Sequence, residues 1–152
     1  MKSAKIPISV ILDCDPGVDD AVAIMLAFKS PTHLDMLGMT TVAGNVGIDN
    51  TTRNACLLRQ VAGREDVLIY RGLERPMVRE AVLADDFHGP EGLGGYPVFE
   101  PIKTEENQCA IDFIVETLRT RPVGSVTLAI TGPMTNIATA FERAPDVQAR
   151  VG

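Results

Sequence analysis

The first apolar run, Ile6 to Leu12, is rich in β-branched residues, has its only proline near the start and breaks off at an acidic cluster. That pattern predicts a buried strand. From Asp19 to Lys29 the apolar positions Ala21, Val22, Ile24, Met25, Ala27 and Phe28 switch to a helical period covering most of the circumference, as in a helix laid on a sheet. Ser30-Pro31 ends it. Leu34 to Val42 predicts a second strand, about Ile48 to Val61 a helix stopped by Gly63, and Val67 to Tyr70 a short third strand. The segment from Arg71 to about Thr104 is rich in Gly and Pro and has no sustained period, which marks a functional or mobile loop. Glu105 to Thr120 is again helical, Ser125 to Ile130 reads as a fourth strand, and about Met134 to Arg143 as a closing helix.

Strand and helix alternate throughout, so the expected class is α/β: a Rossmann-like, mostly parallel sheet flanked by helices, with right-handed crossovers. The 152 residues suit a single domain. In such sheets ligands bind outside the carboxyl ends of the strands. Here those ends lead into Asp13 and Asp15, Asn45, the loop holding His88, and Thr131, so the polar candidates share one edge.

Composition narrows the partners. A net charge of −6 argues against nucleic acid or an anionic membrane, both of which are bound through an excess of Lys and Arg, and leaves room for a cation or a neutral small molecule. No stretch approaches the roughly 18 apolar residues that span a bilayer. Lys2 and Lys5 precede the first apolar run, but Pro7, Ser9 and Asp13 interrupt it, so no signal peptide is expected. Cys14, Cys56 and Cys109 are odd in number and lack metal-site spacing, which fits a reducing, cytoplasmic setting. Each is expected to act as a small buried hydrophobe.

The chemistry concentrates in Asp13-Cys14-Asp15-Pro16-Gly17-Val18-Asp19-Asp20. Asp19 or Asp20 alone suits a helix start, where an acid gains about 0.3–1 kcal/mol. All four acids together call for more. With Asp13 set apart at the strand end, Asp15 is expected to meet Asp19 or Asp20 across the Pro16-Gly17 turn, giving three carboxylates around one spot with no nearby Lys or Arg. Such an all-oxygen cluster suits a hard cation, Ca²⁺ or Mg²⁺. Plainer roles exist for the other candidates: Asn45 as a turn residue, His88 as a solvated loop histidine, Thr131 as a helix cap. Asn54, placed on the far face of its helix, reads as structural.

The stretch from Asp13 to Ile24 resembles the N-terminal signature of the inosine-uridine-preferring nucleoside hydrolases. The likeness continues through Thr40-Thr41-Val42-Ala43-Gly44-Asn45, Thr52-Arg53-Asn54-Ala55, His88-Gly89 with Gly92-Leu93-Gly94, and Thr131-Gly132-Pro133-Met134-Thr135-Asn136-Ile137-Ala138. The resemblance implies a nucleoside hydrolase fold and Ca²⁺-dependent cleavage of the N-glycosidic bond of ribonucleosides, in purine and pyrimidine salvage. It further implies that Asp15, Asp20 and the Thr131 carbonyl ligate Ca²⁺, that Asp19 holds ribose hydroxyls, that Asn45 lies beside the ribose and metal shell, that His88 sits on a lid over the base, and that Asp15 is the general base.

Family enzymes continue well past the point matching Gly152, and that later part brings a further metal-binding aspartate, ribose-binding side chains and often a histidine. The expectation is therefore a truncated nucleoside hydrolase fold with half a site, weak metal binding, little hydrolysis by this chain alone, and self-association into a homo-oligomer through an uncovered apolar flank. The competing readings are a non-catalytic metal- or ribose-binding module and an Mg²⁺-dependent phosphohydrolase, since Asp-x-Asp after a first strand also serves phosphoryl transfer.

Overall fold

The computed structural model describes residues 6–152. Four strands, β1 (Ile8–Cys14), β2 (Leu34–Thr41), β3 (Ile69–Arg71) and β4 (Val126–Ile130), form one parallel sheet in the order β3-β2-β1-β4. Between and after them run α1 (Val18–Phe28), α2 (Ile48–Ala62), α3 (Asp85–His88), α4 (Ala110–Thr120), α5 (Thr135–Arg143) and a 3-10 turn at Pro145–Arg150. The expected α/β parallel sheet is what these residues build. Lys2 and Lys5 lie outside the described residues, and among those described no helix is long and apolar enough to cross a membrane.

Two cores sandwich the sheet. On one side Ile11, Tyr70, Phe113, Ile114, Leu118 and Ile137 pack with α4 and α5, with Tyr70 and Phe113 stacked at 3.8 Å. On the other, Leu12, Cys14 and Met39 meet Ile24 and Phe28 of α1 and Ala55 and Leu58 of α2. Alternate residues of β1 thus feed opposite cores, as a strand buried on both faces must. β1 starts two residues later than expected, after Pro7, and extends through Asp13, which pairs with Thr40 and Ile130. An irregularity at Val10/Ile11, where β2 contributes an extra residue, sets that register.

α1 buries Ile24 and Phe28 against the sheet and leaves Val22 and Leu26 exposed. Two expectations need correction. α4 starts at Ala110 rather than Glu105, since Glu106 is drawn into a bridge with Tyr70 and donates its N–H to the Ile69 carbonyl. For the same reason Cys109 lies exposed before the helix, its thiol 3.1 Å from Asp112, instead of buried like Cys56. The loop before α4 is pinned by the fully buried Arg59, whose guanidinium donates to the carbonyls of Val67, Lys103 and Thr104.

Candidate active site

From β1 the chain moves outward to β2 and β3, then returns to β4 on the other flank, so the topology switches direction between β1 and β4. Open parallel sheets bind ligands at that switch. Asp15 follows β1 and Thr131 follows β4, which brings the two together. The Thr131 and Gly132 N–H groups donate to the Asp13 carbonyl at 2.9 and 3.4 Å. A side chain at Gly132 would press on Asp15 Oδ1 at 2.8 Å, and one at Gly44 would overlap Asp15 Oδ2. Two close backbones therefore cradle the Asp15 carboxylate.

Asn45 sits between the acids. Its backbone N–H donates to Asp15 Oδ2 at 2.8 Å, and its amide donates to the Asp15 carbonyl at 2.9 Å and to Asp20 Oδ2 at 3.3 Å. The Gly17 N–H also donates to Asp20 Oδ2 at 3.3 Å, so Asp20 closes the first turn of α1 as it faces Asn45. Asp19, one residue earlier, is exposed. The expected gathering of three carboxylates is thus reduced to two: among the described residues no three His, Cys, Asp or Glu side chains converge on a metal position. Adjacent helical positions point about 100° apart, which separates Asp19 from Asp20.

Burial dominates the electrostatics. It raises Asp15 to about 7, reinforced by the Asp20 and Asp19 charges and opposed by the Asn45 N–H. It raises Asp13 to about 6 against the Thr40 and Asn136 hydrogen bonds. Burial, with the charges of Asp20, Asp13 and Asp15, also holds the Cys14 thiol well above its usual range, which makes it packing rather than a nucleophile. Two crowded carboxylates without a cationic side chain, flanked by the exposed Thr131, form an all-oxygen donor set that fits a hard cation.

The loop bearing His88 packs against the acidic turn from the far side. His88 is buried, and its Nδ1 accepts the Val18 N–H at 3.3 Å at the start of α1, which places the imidazole against the Gly17 turn. Asn54, read from sequence as remote, is fully buried and donates to the carbonyls of Pro16 (3.3 Å) and Glu91 (2.8 Å), joining the acidic turn to the lid. Arg53 pairs with Glu91 at 2.5 Å, and Asn50 donates to the Pro90 carbonyl. The run of polar residues in Asn50, Thr52, Arg53 and Asn54, within a helix otherwise buried in apolar residues, was the available signal.

Residues 10–152 match the family described as inosine-uridine preferring nucleoside hydrolase. The chain belongs to that family. It is 43% identical over 143 residues to the pyrimidine-specific ribonucleoside hydrolase RihB of Escherichia coli O1:K1 / APEC, an alignment covering 93% of this chain and 44% of that one. Among solved nucleoside hydrolases it is similar to the plant enzyme PpNRh1 (TM-score 0.90, 38% identity, 97% of this chain and 46% of that one). The purine-preferring ribonucleoside hydrolase from Gardnerella vaginalis gives a TM-score of 0.87 at 32% identity, over 95% of this chain and 46% of that one. The chain thus spans less than half the length of these relatives. Those relatives differ in the base their names specify.

Proposed function

We propose that this chain carries the strand-end half of a Ca²⁺-dependent nucleoside N-ribohydrolase site that splits ribonucleosides into ribose and free base. The observation that carries the reading is the pairing of Asp15 with Asp20 through Asn45 at the switch between β1 and β4. Family membership and the names of the relatives support the substrate class.

In this reading the Asp15 and Asp20 carboxylates and the Thr131 carbonyl hold the cation. Ca²⁺, when bound, acidifies and orients a water. Asp15, buried and fixed by Asn45, would accept a proton from the attacking water as the water oxygen bonds to the anomeric carbon. The C–N bond breaks with its electron pair leaving on the base, which takes up a proton from solvent, so the sugar is released inverted, without a covalent intermediate. Asp19, exposed at the start of α1, takes ribose hydroxyls. Asn45 lines the ribose side, and His88 covers the base and keeps bulk water out.

Calcium takes roughly six to eight oxygens. Asp15, Asp20 and Thr131 supply fewer, so the chain alone binds Ca²⁺ weakly and turns over slowly. Two apolar faces support self-association into a homo-oligomer: a groove of about 500 Å³ lined by Val22, Leu26, Val61 and Tyr96, and another of about 340 Å³ along Val10, Leu12 and Ala129. Three free cysteines support a cytoplasmic setting. The presence of two converging carboxylates rather than three favours, as a second reading, a module that binds metal or ribose without catalysis.

Incubation with inosine or uridine and Ca²⁺, with products separated by chromatography, tests the assignment. Slow release of free base that disappears in Asp15→Asn is expected. Binding without any base release supports the module, phosphate release from a nucleotide contradicts both, and rates matching the full-length relatives overturn the expectation of half a site.

A further inference from the structure

Resting on the reading of Asp15 and Thr131 given above, we propose that Asp13 and Asn136 are a positioning pair that fixes the strand-end loops carrying those two residues. Both side chains are fully buried. The Asn136 amide, in the first turn of α5, donates to Asp13 Oδ1 and to the Thr41 carbonyl, each at 2.8 Å, while its oxygen accepts the Leu73 N–H at 2.9 Å. The Thr40 hydroxyl donates to the same Asp13 Oδ1 at 2.6 Å. The Asp13 carbonyl takes the Thr131 and Gly132 N–H groups. One pair of side chains therefore joins β1, the end of β2, the loop after β3, the loop after β4 and α5.

Fold stability alone does not call for this arrangement. A buried ionisable group is commonly replaceable by well-packed apolar side chains without loss, whereas a satisfied polar network selects one arrangement of its surroundings. Asp13 is moreover used unevenly: Oδ1 accepts two hydrogen bonds, and the buried Oδ2 has no partner among the described residues. A carbonyl oxygen in place of Oδ1 does the same work, so Asp13→Asn preserves the pair and Asp13→Ala destroys it.

Amide hydrogen exchange of the whole chain, measured by NMR in a chelator, reads the pair without depending on metal. Asn136→Ala and Asp13→Ala are expected to speed exchange at Leu73, Thr131 and Gly132 by about 10- to 100-fold, as local loss of a buried hydrogen bond does, with Met39 in the sheet changed less than about threefold. Asp13→Asn is expected to behave like the unaltered chain. Ca²⁺ titration of the same variants is expected to show affinity weakened about tenfold in both alanine variants and kept in Asp13→Asn. Uniform acceleration at all these amides, Asp13→Asn as damaging as Asp13→Ala, or no change at Leu73 and Thr131 overturns the pair. Should Asn136→Ala fail to fold, Thr40→Val, which removes a single donor to Asp13, is expected to give the same local pattern at smaller amplitude, and an unchanged pattern there overturns the proposal. Loss of Ca²⁺ binding by the unaltered chain would count against the functional reading and leave the exchange result standing.

Discussion

Asp13 and Asp15 lie two residues apart, and burial holds both above the ordinary carboxylate range, at about 6 and about 7. An unfolded aspartate titrates near 3.9, so between about pH 4 and pH 7 the native chain binds more protons than the unfolded one, and stability falls as pH rises. Asp66 and Asp146, held low by Arg64 and Arg119, act in the opposite sense, and their window lies below the ordinary carboxylate range, outside this one. The melting temperature in a chelator is therefore expected to drop from pH 4.5 to pH 7.5, with Ca²⁺ restoring it at the upper end; a flat or rising profile would refute the burial account. Asn45 offers a second check. Asn45→Ala leaves the Asp15 carbonyl without its amide donor and removes one donor from Asp20, a cost of about 1–3 kcal/mol by urea unfolding, with weaker Ca²⁺ binding. An effect below about 0.5 kcal/mol would place Asn45 outside the site.

At the scale of elements, the order of strands and helices was legible because period and punctuation are local: Gly63 ends α2 with φ +66, as its position foretold. What stayed hidden depends on segments that return from afar. Asn54 looked remote because the helix pattern reveals its buried face and not the lid that lands there. Asp13 read as peripheral to the site, and only its pairing with Thr40 and contact with Asn136 show what it holds. The lid bridge is directly testable: Asn54→Ala is expected to increase proteolytic cleavage within residues 85–96 severalfold at 25 °C, with a stability loss of about 1–3 kcal/mol. Unchanged cleavage would detach Asn54 from lid closure.

For the whole molecule, the sheet order decides where the chemistry gathers. Placing β1 between β2 and β4 puts Asp15, Asp20, Asn45 and Thr131 at one switch point, while the loop bearing His88 folds back over the Gly17 turn. The exposed apolar face of α1, with Val22 and Leu26, is expected to give an oligomer at micromolar concentration by light scattering, and a monomer there would contradict that expectation. The proposed site rests on two paired carboxylates, Asp15 and Asp20, that hold a cation. Calorimetric titration of Ca²⁺ into the unaltered chain and into Asp15→Asn tests it most directly. The expected result is weak, saturable binding that falls at least about tenfold when Asp15 is changed, as loss of a carboxylate ligand requires; equal affinity in the two chains would contradict it.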